Sequence, residues 1–291
     1  MVKIIVPFIC AYLLKRQKIF HDGHSTALIN YVIYFALPAI AFKSAYNIDI
    51  SANFFKLILT CWLVTSVLIG VGYLTGKFLF KLKNENLKTW LLVISFGNTA
   101  FLGYPYTFNF FGEKGLHYAI VYDTLGSFVF VLTVGFFIAV GKLNVKEFIS
   151  FPPAWGLVLG FLLRSFNLPR LVWDSIEFVI PSIFPVIIFA IGLSVDLKQI
   201  GLYFKRSLFI ETTKIFLGAF LAILIGKMLG LSGLPFKVAI LEASMPTMIF
   251  TAVLALKYKL NHNLAVSSVS LGILMSFLTT PFIVRLIHYL F

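Results

Sequence analysis

SFGNTAFLGYP, from Ser95 to Pro105, and EASMPTMIF, from Glu242 to Phe250, decide the reading of this chain. Each lies inside a hydrophobic segment that otherwise has the makings of an unbroken membrane helix. Each brings helix-weakening residues and polar groups into the middle of an apolar span. In a bilayer, non-helical backbone is tolerated only where protein or a water-filled cavity satisfies its N–H and C=O groups. A matched pair of interrupted helices in two halves of a chain points to the binding site of a secondary transporter.

The rest of the composition agrees. Of 291 residues, 60% are hydrophobic and 12% charged, with a mean hydropathy of +0.97. Soluble domains carry about 25% charged residues, so the expected solvent for most side chains is lipid. The net charge of +13 does not imply nucleic acid, because the charges sit in short clusters between apolar runs, as cytoplasmic loops require. Cys10 and Cys61 lie in apolar stretches without metal or redox spacing. The apolar run from Ile4 to Leu14 is followed by Lys15, Arg16 and Lys18 and not by a small-x-small cleavage site, so a retained span is expected rather than a signal peptide. That first span is short: about 13 residues at 1.5 Å rise reach roughly 20 Å against a core near 30 Å.

Apolar runs place ten spans at approximately 2–17, 26–45, 53–80, 88–110, 115–140, 151–166, 175–196, 203–229, 234–257 and 263–290. The predicted fold is an all-α polytopic membrane protein. Residues 1–142 form one five-helix repeat and 151–291 a second, inverted one, with spans 4 and 9 discontinuous and crossing. The repeat shows at an offset of 147–150: LLK at Leu13–Lys15 recurs as LLR at Leu162–Arg164, and LPAIAF at Leu37–Phe42 recurs as FPVIIF at Phe184–Phe189. Asp49 and Asp196 follow the latter pair at equal distance, GK at 76–77 recurs at 226–227, and LK at 87–88 recurs as FK at 236–237. The same offset pairs Gly97 and Asn98 with Pro246 and Thr247. An odd number of spans per repeat makes the second copy enter from the opposite side. Fourteen Lys and Arg on one side of the predicted loops against nine on the other, Lys142 and Lys146 among the fourteen, favour both termini outside a cell inner or plasma membrane.

A broken helix exposes N–H groups at the start of one half and C=O groups at the end of the other, which attract anions and cations respectively. The candidate substrate site is therefore Gly97, Asn98 and Thr99 with Met245, Pro246 and Thr247. Charges within spans are costly and mark function or pairing. Asp123 and Glu242 are candidates to carry a proton or bind a cation, and Lys214 to balance an anionic substrate. For Glu211 and Lys214, at i and i+3, an interfacial salt bridge is the favoured expectation. The five histidines show no metal spacing, and no Ser/His/Asp, HExxH, Walker or GxGxxG pattern is visible, so neither a metal site nor an enzyme is expected. No cofactor is implied beyond a coupling sodium ion or proton.

GNTAFLGYP (Gly97–Pro105), FPVIIFAIGLSVDL (Phe184–Leu197), EASMPTMIFTAVLALKYKLNHNLAVSSVSLGILMSFLTTP (Glu242–Pro281) and ALPAIAFKS (Ala36–Ser44) resemble the auxin efflux carrier family, across nearly the whole chain. The resemblance implies a bile acid–sodium symporter-like fold in which spans 1, 2, 6 and 7 form a scaffold and spans 3–5 and 8–10 a moving transport domain. It implies an elevator-like permease for a small organic anion, a mono- or dicarboxylate, with Asn98 touching the substrate carboxylate and Pro246 marking the second crossover. Gly97 stands where plant members carry proline, and the long cytoplasmic loop of many of them is absent. An exposed apolar scaffold face suggests a homodimer in the lipid. The rival readings are a sodium- or proton-coupled symporter of a bulkier amphipathic anion and a non-transporting ligand sensor.

Overall fold

The computed structural model describes residues 2–47, 51–141 and 151–291. Asp49, Lys142, Lys146 and the connection that follows residue 141 lie outside the described residues. Within them the chain is all helix, and the one departure toward sheet is an isolated antiparallel bridge between Gly97 and Thr247.

Eleven helical stretches follow in order: α1 Val2–Arg16, α2 Gly23–Asn47, α3 Ala52–Leu79, α4 Asn84–Ser95, α5 Thr99–Val140, α6 Pro152–Leu163, α7 Arg170–Ser194, α8 Leu197–Met228, α9 Gly233–Ala243, α10 Ile249–Lys257 and α11 His262–Leu290. Six of these, α2, α3, α5, α7, α8 and α11, are long and apolar enough to cross a membrane. The protein is an integral membrane protein built on these six. The others are shorter for visible reasons. Helices α4 and α9 stop where the chain is interrupted, and α6 starts on Pro152 and Pro153, which fit a first helical turn. The 42 residues of α5 are about twice what one crossing needs, and Gly112 turns them at φ 67°, a left-handed conformation that glycine adopts without a Cβ penalty.

Between apolar helices in lipid, burial supplies little drive, and association rests on close packing, for which small residues are needed. That is how α2 meets α6. The backbone of Gly156 lies against the carbonyl of Pro38, and Gly160 against that of Phe42, with Ala45 and the Tyr46 amide beside it. Helix α1 meets α7 the same way, Gly192 lying against the Phe8 carbonyl and Ala11. Together these four helices make one packed group.

The remaining helices form a second group. Gly76 of α3 receives Leu87 and Trp90 from α4, and Trp90 donates its indole N–H to Thr75 at 3.2 Å. Gly226 of α8 receives Phe236 from α9, and Gly218 lies on the Ala243 carbonyl. Helices α8 and α11 are joined by the buried pair Ser207–Ser267, 2.7 Å apart. Side chains also tie the two groups at their contact: Lys43 on α2 reaches Glu113 on α5 at 2.9 Å and Glu177 on α7 at 3.6 Å, and His117 on α5 hydrogen-bonds Ser44 at 3.0 Å.

Regular α-helix yields to wider π-helical turns at Val32–Ala36, Thr75–Leu79, Thr99–Gly103, Tyr122–Phe128, Val131–Gly135 and Thr213–Leu217. Such turns free a backbone position and often fall at functional sites. Three of them carry the sequence's candidates Thr99, Asp123 and Lys214.

Candidate functional site

The site grows from the two interruptions. Helix α4 ends at Ser95 and the chain turns extended at Phe96 (φ −98°, ψ 120°). Helix α9 ends at Ala243, and Met248 is extended too (φ −68°, ψ 131°). Pro246 lacks an N–H and cannot continue α9 through a normal i→i−4 bond. Each unwound segment supplies what the other lacks: Asn98 N–H donates to the Pro246 carbonyl at 2.7 Å, and Met248 N–H to the Phe96 carbonyl at 2.9 Å. Backbone that would be left unpaired in the interior of a membrane protein is thereby satisfied by its counterpart.

Four helix ends meet here: the C-termini of α4 and α9 and the N-termini of α5 and α10. The N-terminal pair borders a cavity of about 320 Å³, lined by Asn98, Phe101, Asp123, Met248 and Ile249 on one side and by Ile33, Leu37 and Pro152 on the other. It therefore lies between the two packed groups of helices.

Asn98 occupies the cap position before α5 and is 1% exposed. An asparagine at that position ordinarily turns its side chain back onto the first helical N–H groups. Here it makes no such cap, and its Nδ2 is buried without any hydrogen-bond partner. The backbone is spoken for; the amide is not.

Three carboxyls lie buried around the crossing, each against a threonine. Asp123 takes the Thr99 hydroxyl on Oδ1 at 2.5 Å and the Tyr104 hydroxyl on Oδ2 at 2.8 Å. Glu242 takes the Thr107 hydroxyl on Oε1 at 2.7 Å, while its Oε2, beside Gly103, has no partner. Glu211 bonds both the hydroxyl and the backbone N–H of Thr247, the latter at 3.1 Å. Lys214 is 3% exposed beside Gly97.

The structure thus brings Gly97, Asn98, Thr99, Pro246 and Thr247 to one crossing, with Met245 buried behind it at the end of α9. It does not form the expected Glu211–Lys214 salt bridge. No ion pair within 4.0 Å joins them: Glu211 is fully buried and its oxygens are engaged by Thr247. Sequence reasoning passed over Tyr104 and Thr107. Both follow the first interruption within three turns, but nothing in their spacing distinguishes them from packing residues.

The model of a family described as membrane transport protein matches residues 1–146 and 136–284. The chain is 30% identical over 296 residues to an uncharacterized transporter of Methanocaldococcus jannaschii, covering 96% of this chain and 92% of that one. It is 28% identical over 288 residues to an uncharacterized transporter of Methanothermobacter thermautotrophicus, covering 96% and 94%.

Proposed function

The chain belongs to the membrane transport protein family, and from that premise we propose that it is a secondary transporter moving a small mono- or dicarboxylate by elevator-like alternating access. The observation that carries the substrate class is the Asn98 amide: a buried, unpartnered donor at the wall of a cavity onto which two half-helix N-termini open. Unsatisfied N–H groups and the positive dipole ends favour an anion there, and an amide donor without a protein partner is satisfied when a carboxylate enters.

The ten-span, inverted-repeat reading has support in contacts that recur at the offset seen in the sequence. Phe96 maps to Pro246 and Asn98 to Met248, each by 150 residues, so the two bonds of the crossing exchange with each other under the repeat. Gly76 against Leu87 corresponds to Gly226 against Phe236, offsets of 150 and 149. Ala45 against Gly160 corresponds to Gly192 against Ala11, offsets of 147 and 149. Counting α4 with the part of α5 before Gly112 as one interrupted crossing, the part of α5 after Gly112 as the next, and α9 with α10 as the other interrupted crossing gives the ten. A cavity between two separately packed helix groups is what an elevator needs, with Lys43–Glu113 and His117–Ser44 as contacts that its motion breaks.

Asp123 favours a second reading. A carboxyl on the wall of an anion cavity repels the substrate unless a cation or proton accompanies it, which makes the protein a symporter.

Thermal stabilisation of the purified protein against a panel of mono- and dicarboxylates tests the substrate class. A ligand of the folded state adds about 2.7 kcal/mol of apparent stability at a hundredfold excess over its dissociation constant. The expected result is a shift with at least one carboxylate in choline buffer. A shift that requires sodium selects the symporter. No shift with any carboxylate refutes the anion site.

A further inference from the structure

The oxygens around Thr247 do not balance if every acid is ionised. The Thr247 hydroxyl has the Val93 carbonyl 2.7 Å away and Glu211 Oε1 on its other side. A hydroxyl carries one hydrogen. The Val93 oxygen only accepts, and so does Oε1 of an ionised carboxylate. One of the two contacts would then be oxygen against oxygen with no hydrogen between them, in a fully buried place. If Glu211 carries a proton on Oε1, everything is satisfied: Glu211 donates to Thr247, Thr247 donates to Val93, and Glu211 Oε2 accepts the Thr247 N–H.

A second observation bears on the same pair. Lys214, one turn along α8, is buried, yet among the described residues its ammonium forms neither a hydrogen bond nor an ion pair. A lysine so enclosed, at 3% exposed, lacks a counter-charge. The pairing that would relieve it, with Glu211 at i−3, is the one a protonated Glu211 declines.

We propose that Glu211 is an exchangeable proton site that locks the crossing when protonated and turns to Lys214 when the proton leaves. In that step the Oε1–H bond breaks, its electron pair stays on the carboxylate, and the proton passes to water. Thr247 then loses the donor that fixed it. Glu211 gains Lys214 as counter-charge, and the tie between α8 and the end of α4 at Val93 is released. Gly272 of α11 leaves the space the carboxyl occupies, since a Cβ there would collide with it. The other titratable group near this pair is the buried Cys61 of α3, within electrostatic reach of Lys214. Asp123 and Glu242 are bonded to their own threonines. Nothing in the amino-acid pattern marks Glu211 out from an ordinary helix pair. The proposal rests on the transporter reading for its purpose, since it supplies a proton as the coupling ion, but the protonated carboxyl is a property of the folded chain alone.

Two measurements separate these. An infrared difference spectrum of wild type against Glu211→Gln in lipid, without substrate, should contain the C=O stretch of a protonated carboxylic acid at neutral pH, and the wild-type band should fade as pH rises. In proteoliposomes, a pH gradient should drive carboxylate accumulation through wild type and not through Glu211→Gln. Absence of the band in wild type overturns the proton site whatever the transport result. If the band is present but the gradient drives both proteins equally, the coupling role is overturned. If the band is present and no carboxylate crosses, it is the transporter reading that falls. Correct assembly of the variant is checked by its elution and melting profile.

Discussion

Asn98→Ala sharply reduces carboxylate stabilisation and uptake while leaving the unliganded protein at least as stable as wild type. The two halves of this result come from different atoms of one residue. The backbone of Asn98 holds the crossing: its N–H bonds Pro246, and its carbonyl accepts from the Leu102 and Gly103 amides at 3.2 and 3.0 Å. Alanine keeps all of that. The side chain contributes an Nδ2 without a partner, and deleting an unsatisfied buried donor removes a cost rather than a bond. With a carboxylate present the same amide makes a hydrogen bond to a charged group, worth about 1.5–3 kcal/mol, so binding weakens roughly 10- to 150-fold on its loss. Differential scanning fluorimetry with and without ligand reads both halves. A variant that melts early, or that keeps the full ligand shift, contradicts the assignment.

Gly156→Leu prevents α2 and α6 from packing. Even a Cβ at Gly156 falls on the Pro38 carbonyl oxygen and lies 3.0 Å from its carbonyl carbon and Cα. These are backbone atoms that cannot turn aside as a side chain does. Overpacking of this kind typically costs about 1–3 kcal/mol and sometimes more, a large share of the roughly 5–15 kcal/mol that holds a domain together. The expected result is a melting temperature well below wild type, or aggregation on extraction. Gly70 is the control: nothing lies within 4 Å of a Cβ placed there, so Gly70→Ala should melt like wild type. Equal melting of Gly156→Leu and wild type would show that α2 and α6 do not pack as described.

Much of this was legible before any coordinates. Gly97 and Pro246 announced the interruptions, since glycine and proline in mid-span leave backbone that only a partner can satisfy, and the structure pairs the two segments. The repeat offset was read from such pairs as Gly76 with Gly226, and contacts at both glycines recur. Register was harder. The motif alignment put Gly97 level with Pro246, whereas in the fold Gly97 bridges Thr247. Partners across the fold were not legible at all. Glu211 and Lys214 sit at a spacing that favours a pair on an isolated helix, but Thr247, 36 residues on, takes the carboxyl instead. The π-helical turns under Asp123 and Lys214 leave no local sequence signature. Sequence could nominate Asn98 for its chemistry; only burial without a partner shows that its amide is left waiting.

Flux is the most direct test of the central claim. Purified protein is reconstituted into liposomes loaded with an unlabelled carboxylate drawn from the stabilisation hits, and entry of the labelled compound is followed for wild type, Asn98→Ala and protein-free vesicles. The account predicts exchange through wild type, strongly reduced exchange through Asn98→Ala at the same carboxylate concentration, and background entry in protein-free vesicles. A carboxylate that binds with Asn98-dependent stabilisation, yet enters wild-type vesicles no faster than empty ones, would contradict it and make this crossing the site of a sensor.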